Sequence, residues 1–124
     1  MHALRHVHEL LVPGGTMLDL HPVTEEQVEA SGRRIGVIDD PEFRVDLPNA
    51  EARLAEAIRD GLYALEAELE FDVLQHVDTV EELFEKRDEL LTAQPALADR
   101  IRAVKPPLVI REHVVFRRLL RADP

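Results

Sequence analysis

Cysteine is absent from this chain, so disulfides, thiolate metal sites, iron–sulfur clusters and thiol nucleophiles are excluded. Tryptophan is absent too, and aromatic residues make up only 4% of the chain. No apolar run reaches the ~20 residues that a membrane-spanning helix needs. The first residues lack the charged-then-apolar layout of a signal peptide. We therefore expect a cytoplasmic protein with no membrane segment.

Basic residues are scarce as well, with 15 Lys and Arg against 25 Asp and Glu, for a net charge of −10. Phosphate binding needs a basic surface, so we expect no nucleic-acid partner. The 124 residues fit the length of one domain. An apolar content of 45% is sufficient for a hydrophobic core. The sequence thus predicts one acidic domain over residues 1–124.

Helical periodicity is clearest between Leu54 and Leu69, where four leucines and Ile58 recur at steps of three and four. Thr79 and Glu82 have the spacing of a capping box. Pro13-Gly14-Gly15 follows an amphipathic stretch at the start of the chain and predicts its end. The predicted helices are residues 1–12, 50–70, 80–93 and 96–104.

Strand signals are short apolar or alternating runs bounded by Gly and Pro. The turn-like segment Asp39-Asp40-Pro41-Glu42 lies between two apolar runs, which predicts a β-hairpin over residues 33–47. The predicted main strands are residues 16–21, 71–77 and 108–120. This order of elements has no regular βαβ repeat, so we expect an α+β fold with a mixed sheet.

One segment resembles a known family. Leu11-Val12-Pro13-Gly14-Gly15, followed by Thr16-Met17-Leu18-Asp19-Leu20, is similar to the late portion of class I S-adenosylmethionine-dependent methyltransferases, where a helix and a Leu-x-Pro-Gly-Gly turn precede the fifth strand. The resemblance implies that residues 71–77 and 108–120 correspond to the sixth and seventh strands, an antiparallel pair at the sheet edge. Residues 33–47 would be an insertion after the fifth strand.

The chain departs from this family where the family binds its cofactor. The methyltransferase pattern has a glycine-rich loop after the first strand and an acid for the ribose after the second. Here the Pro-Gly-Gly turn already comes at residue 13, and no glycine-rich loop is present. The resemblance is therefore to a truncated, Rossmann-like carboxyl-terminal half, and we expect no cofactor.

Asp19 and His21 are the candidate catalytic residues. They are two positions apart on a predicted strand, so their side chains point to the same side, near the carboxyl end where α/β sheets usually bind ligands. The resemblance places this region near the methyl-acceptor pocket. Asp19 would orient His21 as a general base; the alternative is that both side chains bond to backbone at the strand end.

Other chemistry-bearing residues have simpler interpretations. His2 and His6 share a helix face and are candidate metal ligands, although a solvated terminus is the alternative. His113 fits a surface or cross-strand histidine. The acidic segment at 39–42 fits a solvated turn rather than a cation site. Four arginines, which we expect to pair with acidic residues within the chain or across a dimer, are Arg111, Arg117, Arg118 and Arg121.

Three functions stay open from the sequence. The first is a non-catalytic, methyltransferase-like interaction module that forms a homodimer through Met17, Leu18, Leu20 and helix 1–12. A homodimer is expected because the strand at 16–21 lacks the fourth strand that would cover its edge. The second is the acceptor-side half of a split methyltransferase, with a partner chain carrying the cofactor half. The third is a small-ligand-binding α+β domain, with the ligand between the hairpin and the long helix.

Overall fold

The computed structural model describes residues 2–124, except for the side chain of His2. Five helices and five strands are present in this part of the chain. In order they are α1 (His2–Leu10), β1 (Thr16–Pro22), β2 (Gln27–Ala30), β3 (Arg33–Val37), α2 (Pro41–Arg59), β4 (Tyr63–Val77), α3 (Val80–Lys86), α4 (Asp88–Thr92), α5 (Pro95–Arg102) and β5 (Leu108–Arg121).

The strands form one antiparallel sheet in the order β1-β5-β2-β3, with β4 also paired to β5. Val28 of β2 lies opposite Gly36 of β3 and Ile110 of β5. A two-residue turn, Ser31-Gly32, joins β2 to β3, and both residues have positive φ, 51° and 73°. Two positive φ angles are what a tight hairpin turn requires.

The predicted α+β class is confirmed, but the sheet is antiparallel rather than mixed. The predicted strands at 16–21 and 108–120 match β1 and β5 to within one residue at their ends. The predicted helix 1–12 ends two residues earlier, at Leu10, and 96–104 corresponds to α5.

The predicted hairpin at 33–47 is wrong. The hairpin is formed by β2 and β3, and residues 41–47 are the first turns of α2. Pro41 opens that helix, a position where the missing N–H of proline costs no hydrogen bond. The Asp-Asp-Pro-Glu segment is therefore a helix start and not a hairpin turn.

The predicted helix at 50–70 is also wrong at both ends. The helix ends at Arg59, where the N–H of Leu62 bonds to the carbonyl of Ala57 at 3.0 Å and the N–H of Gly61 to that of Ile58 at 3.0 Å. Gly61 has φ 79°, so this is a Schellman ending. The strand predicted at 71–77 begins instead at Tyr63.

The predicted helix at 80–93 is two helices, α3 and α4, interrupted at Arg87, whose φ and ψ are −132° and 36°. The Thr79 hydroxyl accepts from the N–H of Glu82 at 3.1 Å, as the capping box predicts. The Glu82 carboxylate accepts from the N–H of Asp78 at 3.1 Å rather than from that of Thr79. The start of α3 is thus capped by two side chains, those of Thr79 and Glu82.

The chain divides into two compact units, which are described separately. Unit 1 comprises residues 1–21, 42–70 and 115–124, and unit 2 comprises residues 22–41 and 71–114. The core of unit 1 contains Leu54, Ala57, Leu62, Tyr63 and Leu119, with Leu4, Leu11, Met17 and Ile58 packed against it. The core of unit 2 includes Val28, Ile38, Leu83, Leu91, Ile101 and Leu108.

The leucine stripe predicted as a helix face is split by the end of α2. Leu54 and Leu62 are buried, but Leu65 and Leu69 lie on β4 and are exposed. Within the described residues, no helix is both long enough and apolar enough to cross a membrane.

Candidate functional site

Asp19 and His21 lie side by side on β1, as the strand spacing predicts. The Nδ1 atom of His21 is 3.0 Å from Oδ2 of Asp19. Both side chains are partly buried, with 22% of the His21 side chain and 27% of the Asp19 side chain exposed. The contact between them is direct, so the carboxylate of Asp19 fixes the orientation of the imidazole ring.

Glu51 completes the environment of His21 from α2. Its Oε1 atom is 2.7 Å from Nε2 of His21. Each ring nitrogen of His21 therefore faces a carboxylate, and carboxylates only accept hydrogen bonds when ionised. Both ring nitrogens of His21 are therefore in contact with side chains of the same cluster.

Arg117 of β5 joins the same cluster and is its least exposed member, at 13%. Its guanidinium contacts Glu51 at 3.0 Å, Glu68 at 2.7 Å and Asp19 at 3.5 Å. Burial raises the pKa of Glu51, but hydrogen bonds from His21 and Arg117 outweigh it, so that the pKa lies below its ordinary value. Burial lowers the pKa of Arg117, and hydrogen bonds to Glu68 and Glu51 raise it overall.

This arrangement positions His21 firmly but leaves it no free ring nitrogen. A general base needs a nitrogen within hydrogen-bond reach of the proton it removes. For His21 to act in that way, either Asp19 or Glu51 must release it. As seen, the cluster is an ion-pair network of one arginine, one histidine and three carboxylates.

A cavity of about 260 Å³ adjoins this network within unit 1. Asp19 and His21 lie at one part of its wall, and Arg53 of α2 contributes a cationic side chain. The remaining lining is mostly apolar and comes from α1, β1 and α2: Ala3, Leu4, Met17, Leu18, Ala50 and Leu54. The strand end that was predicted to face a ligand therefore does face a cavity.

The predicted metal pair lies partly outside the described residues. The side chain of His2 is among the parts not described, and His6 is exposed on α1. In residues 3–124, no group of three or more His, Asp or Glu side chains is arranged to hold a metal ion. The neighbouring His8 is instead buried, and its Nε2 lies 2.7 Å from the carbonyl oxygen of Ala122.

The remaining candidates form ion pairs inside their own units. His113 contacts Asp72 at 2.8 Å, and a hydrogen bond from His113, with a second from Arg111, lowers the pKa of Asp72. The four arginines of β5 were expected to pair with acids, and each has an acidic partner: Arg111 with Glu29 and Asp72, Arg117 with Glu51 and Glu68, Arg118 with Glu66, and Arg121 with Asp123.

Two members of the cluster were not singled out from the sequence. Glu51 is one of many acids on α2, and Glu68 was assigned to a helix that does not exist there. The i, i+2 alternation of Glu66, Glu68 and Glu70 with apolar residues is the signal that identifies Glu68 as a strand residue.

Comparisons of the chain with models of protein families, with curated proteins and with solved structures give no match. Assignment of a function therefore rests on the geometry described above.

Proposed function

We propose that this chain is a non-catalytic interaction module of the cytoplasm that forms a homodimer through the outer edge of β1. The observation that carries the proposal is the position of β1 at the end of the sheet. None of the described strands pairs with its outer edge. An uncovered strand edge presents a row of unpaired N–H and C=O groups, which a second strand satisfies.

The backbone of β1 shows which groups point outward. At one end, Gly15 accepts from the N–H of Arg121 at 2.8 Å, and at the other the N–H of Val23 donates to His113 at 2.8 Å. Hydrogen-bonded positions alternate along an antiparallel strand. Residues 15–23 and residues 113–121 are equal in number, so the same register holds at both ends of the pair. The odd-numbered residues of β1 thus bond to β5, and Leu18 and Leu20 direct their backbone groups outward.

The side chains at the same positions are apolar and exposed. Leu18 is 61% exposed and Leu20 is 56% exposed. Leu10 and Val12 of the preceding segment are exposed to a greater degree, and we include them in the proposed surface. Met17, which the sequence placed in the interface, packs against the core of unit 1. We therefore define the proposed dimer surface by Leu10, Val12, Leu18 and Leu20.

A two-fold axis through Leu18 gives the most favourable register. It pairs Leu18 with its own copy and Thr16 with Leu20, which forms about six backbone hydrogen bonds by antiparallel geometry. In this register Asp19 lies opposite Met17 of the other copy, so the two Asp19 carboxylates are not directly opposed. An axis through Leu20 would bring Pro22 opposite Leu18, and proline has no N–H to donate.

The outer edge of β4 is a poorer surface for self-association. Glu66, Glu68 and Glu70 alternate along it, and antiparallel pairing of two copies places glutamates opposite glutamates. Like charges directly opposite are destabilising in a sheet. Of residues 16–21 in β1, only Asp19 is an acid, which favours β1 as the edge that pairs.

The test is the mass in solution, measured by sedimentation equilibrium across the micromolar range. We expect twice the monomer mass of 14.1 kDa. Leu18→Lys should dissociate the dimer, because it places two like charges at the two-fold axis. Val45→Lys is the matched control, because Val45 is equally exposed, at 62%, but lies on α2.

A pair of proline variants tests the edge itself. Leu18→Pro removes an outward N–H and should reduce dimerisation more than folding. Met17→Pro removes an N–H that points to β5 and should destabilise the fold. A monomer at all concentrations, or a dimer insensitive to Leu18→Lys, contradicts the proposal.

The alternative is the acceptor-side half of a split S-adenosylmethionine-dependent methyltransferase. Two observations favour it: β5 lies between β1 and β4, as the seventh strand lies between the fifth and sixth in the resembled family, and His21 adjoins a cavity. The fourth strand of a partner chain would then fill the outer edge of β1. A monomer that is captured only by a chain with the glycine-rich loop would support this alternative.

Without that loop the purified chain offers no cradle for the cofactor. Calorimetric titration with S-adenosylmethionine should give no binding up to millimolar concentration. One site per chain with a micromolar dissociation constant would contradict both the first proposal and the assignment of the missing half to a partner.

A further inference from the structure

We propose that the cavity of unit 1 binds a small amphiphilic carboxylate, such as a medium-chain or arylalkyl acid. The cavity lies among α1, β1 and α2, and its wall is apolar at Leu4, Met17 and Leu54. Its volume of about 260 Å³ is slightly below the ~300–1,000 Å³ of pockets for drug-sized ligands. An apolar body of modest size therefore fits it.

The charge of the ligand follows from which polar groups of the wall already have partners. Asp19 accepts from His21 and Arg117, so a ligand amine would compete with these two side chains for it. His21 has a carboxylate at each ring nitrogen. His21 thus has no ring nitrogen left for a ligand, and Asp19 already has two donors.

Arg53 is in the opposite situation. Arg53 is exposed, its guanidinium forms no ion pair with any residue that the structure describes, and its side chain lies at the rim of the cavity lining. A guanidinium forms paired hydrogen bonds with a carboxylate, which is the strongest and most directional contact open to it. The unpaired charge at this cavity is therefore positive, and the ligand that complements it is a monoanion with an apolar body.

A phosphate ester is a poorer match. It carries up to two charges, and its recognition usually needs several donors. Arg53 is one cation, and the carboxylates of Asp19 and Glu51 lie nearby and oppose a second negative charge. The single guanidinium thus favours a carboxylate over a phosphate.

The experiment uses the full chain and a ligand series in which only the head group changes. Octanoate, octylamine and octanol have eight carbon atoms each, and 3-phenylpropanoate tests a second apolar shape. Binding is followed by chemical shifts of the methyl groups of Leu4, Met17 and Leu54. We expect a carboxylate to shift these signals with a dissociation constant at least about tenfold lower than that of the matching amine or alcohol, the size of one charge-assisted contact.

Arg53→Gln should remove the preference for the carboxylate and leave octanol binding unchanged. Arg59→Gln, on the same helix but not lining the cavity, is the matched control and should bind octanoate normally. Equal binding of octanoate and octylamine, an unchanged preference in Arg53→Gln, or no shifts with either carboxylate would overturn the proposal. Because Leu18 belongs both to the cavity wall and to the proposed dimer surface, the mass of each variant is measured at the protein concentration used for binding, and variants are compared at the same oligomeric state.

Discussion

Arg117 balances carboxylates that come from three different elements: Asp19 of β1, Glu51 of α2 and Glu68 of β4. A planar guanidinium has donors on both edges, and a lysine ammonium does not have this geometry. Loss of these contacts leaves two partly buried carboxylates, Asp19 and Glu51, near the exposed carboxylate of Glu68. The residue therefore contributes to stability through its shape as well as its charge.

We predict that Arg117→Lys lowers the free energy of unfolding by about 1–3 kcal/mol, less than for a fully buried pair because the partners are partly exposed. Arg118→Lys is the control, because Arg118 forms an exposed pair with Glu66 and should change stability by under ~0.5 kcal/mol. Urea denaturation measures both. Equal effects of the two variants would contradict the role assigned to Arg117.

For Glu112 in unit 2, in contrast to Arg117, we predict that a substitution increases stability. Burial, reinforced by the nearby charge of Glu26 and opposed by Arg87, raises the pKa of Glu112. Stability is therefore lost as the pH rises through that pKa, since the folded state disfavours the ionised form. Glu112→Gln should raise the melting temperature at pH 7, and the gain should shrink towards pH 4, where the wild-type carboxyl is increasingly protonated.

Glu26→Gln is the matched variant for this prediction. The Glu26 carboxylate accepts two hydrogen bonds of 2.6 Å from Arg87, and its loss should lower the melting temperature at pH 7. Thermal unfolding followed by circular dichroism at the two pH values gives both results. A Glu112→Gln variant that is less stable than the wild type at pH 7 would show that the attraction between Glu112 and Arg87 outweighs the cost of burying the Glu112 charge.

The sequence was sufficient to predict that the side chains of Asp19 and His21 lie close together, because residues two apart on a strand share a face. It was not sufficient to predict their contacts with Glu51 and Arg117. Glu51 is distant in sequence from His21, and its contact depends on how α2 packs, which no local pattern encodes. The expectation that Arg117 pairs with an acid was correct but did not identify which one.

At the level of elements, the residues of β4 have a high helix propensity, but their order has the periodicity of a strand. Ala, Leu and Glu are strong helix formers, and they dominate residues 64–70, which led to the helix prediction there. From Leu65 to Glu70, however, their order alternates between apolar and acidic, the period of a strand. Pairing with β5 satisfies the backbone, so the tertiary structure overrides the propensity.

Gly61 fixes the point at which α2 ends and β4 follows. A side chain at this φ of 79° is strained, and an added Cβ would lie 3.4 Å from Cα of Pro124. We predict that Gly61→Ala lowers the free energy of unfolding by about 1 kcal/mol. Gly61→Asn should cost less, because asparagine tolerates positive φ better; equal costs would contradict the conformational explanation.

For the whole molecule, the net charge of −10 opposes the proposed dimer. Repulsion between two such chains is screened within ~8 Å at physiological ionic strength and acts over ~30 Å at 0.01 M. The residues that define the proposed surface are all apolar, so added salt would not weaken any ion pair between them. We therefore predict that added sodium chloride tightens the dimer, measured as a lower dissociation constant in sedimentation equilibrium. Weaker association at higher salt would indicate ion pairs across the interface instead.

Pro48 lies inside α2 and has no N–H to donate within the helix. The buried residues of this helix, Leu54 and Ala57, both lie beyond the proline. The first turns are thus packed less tightly than the last. In amide hydrogen exchange, residues 42–47 should exchange early and residues 54–59 late, which makes α2 two segments of unequal lifetime joined at Pro48.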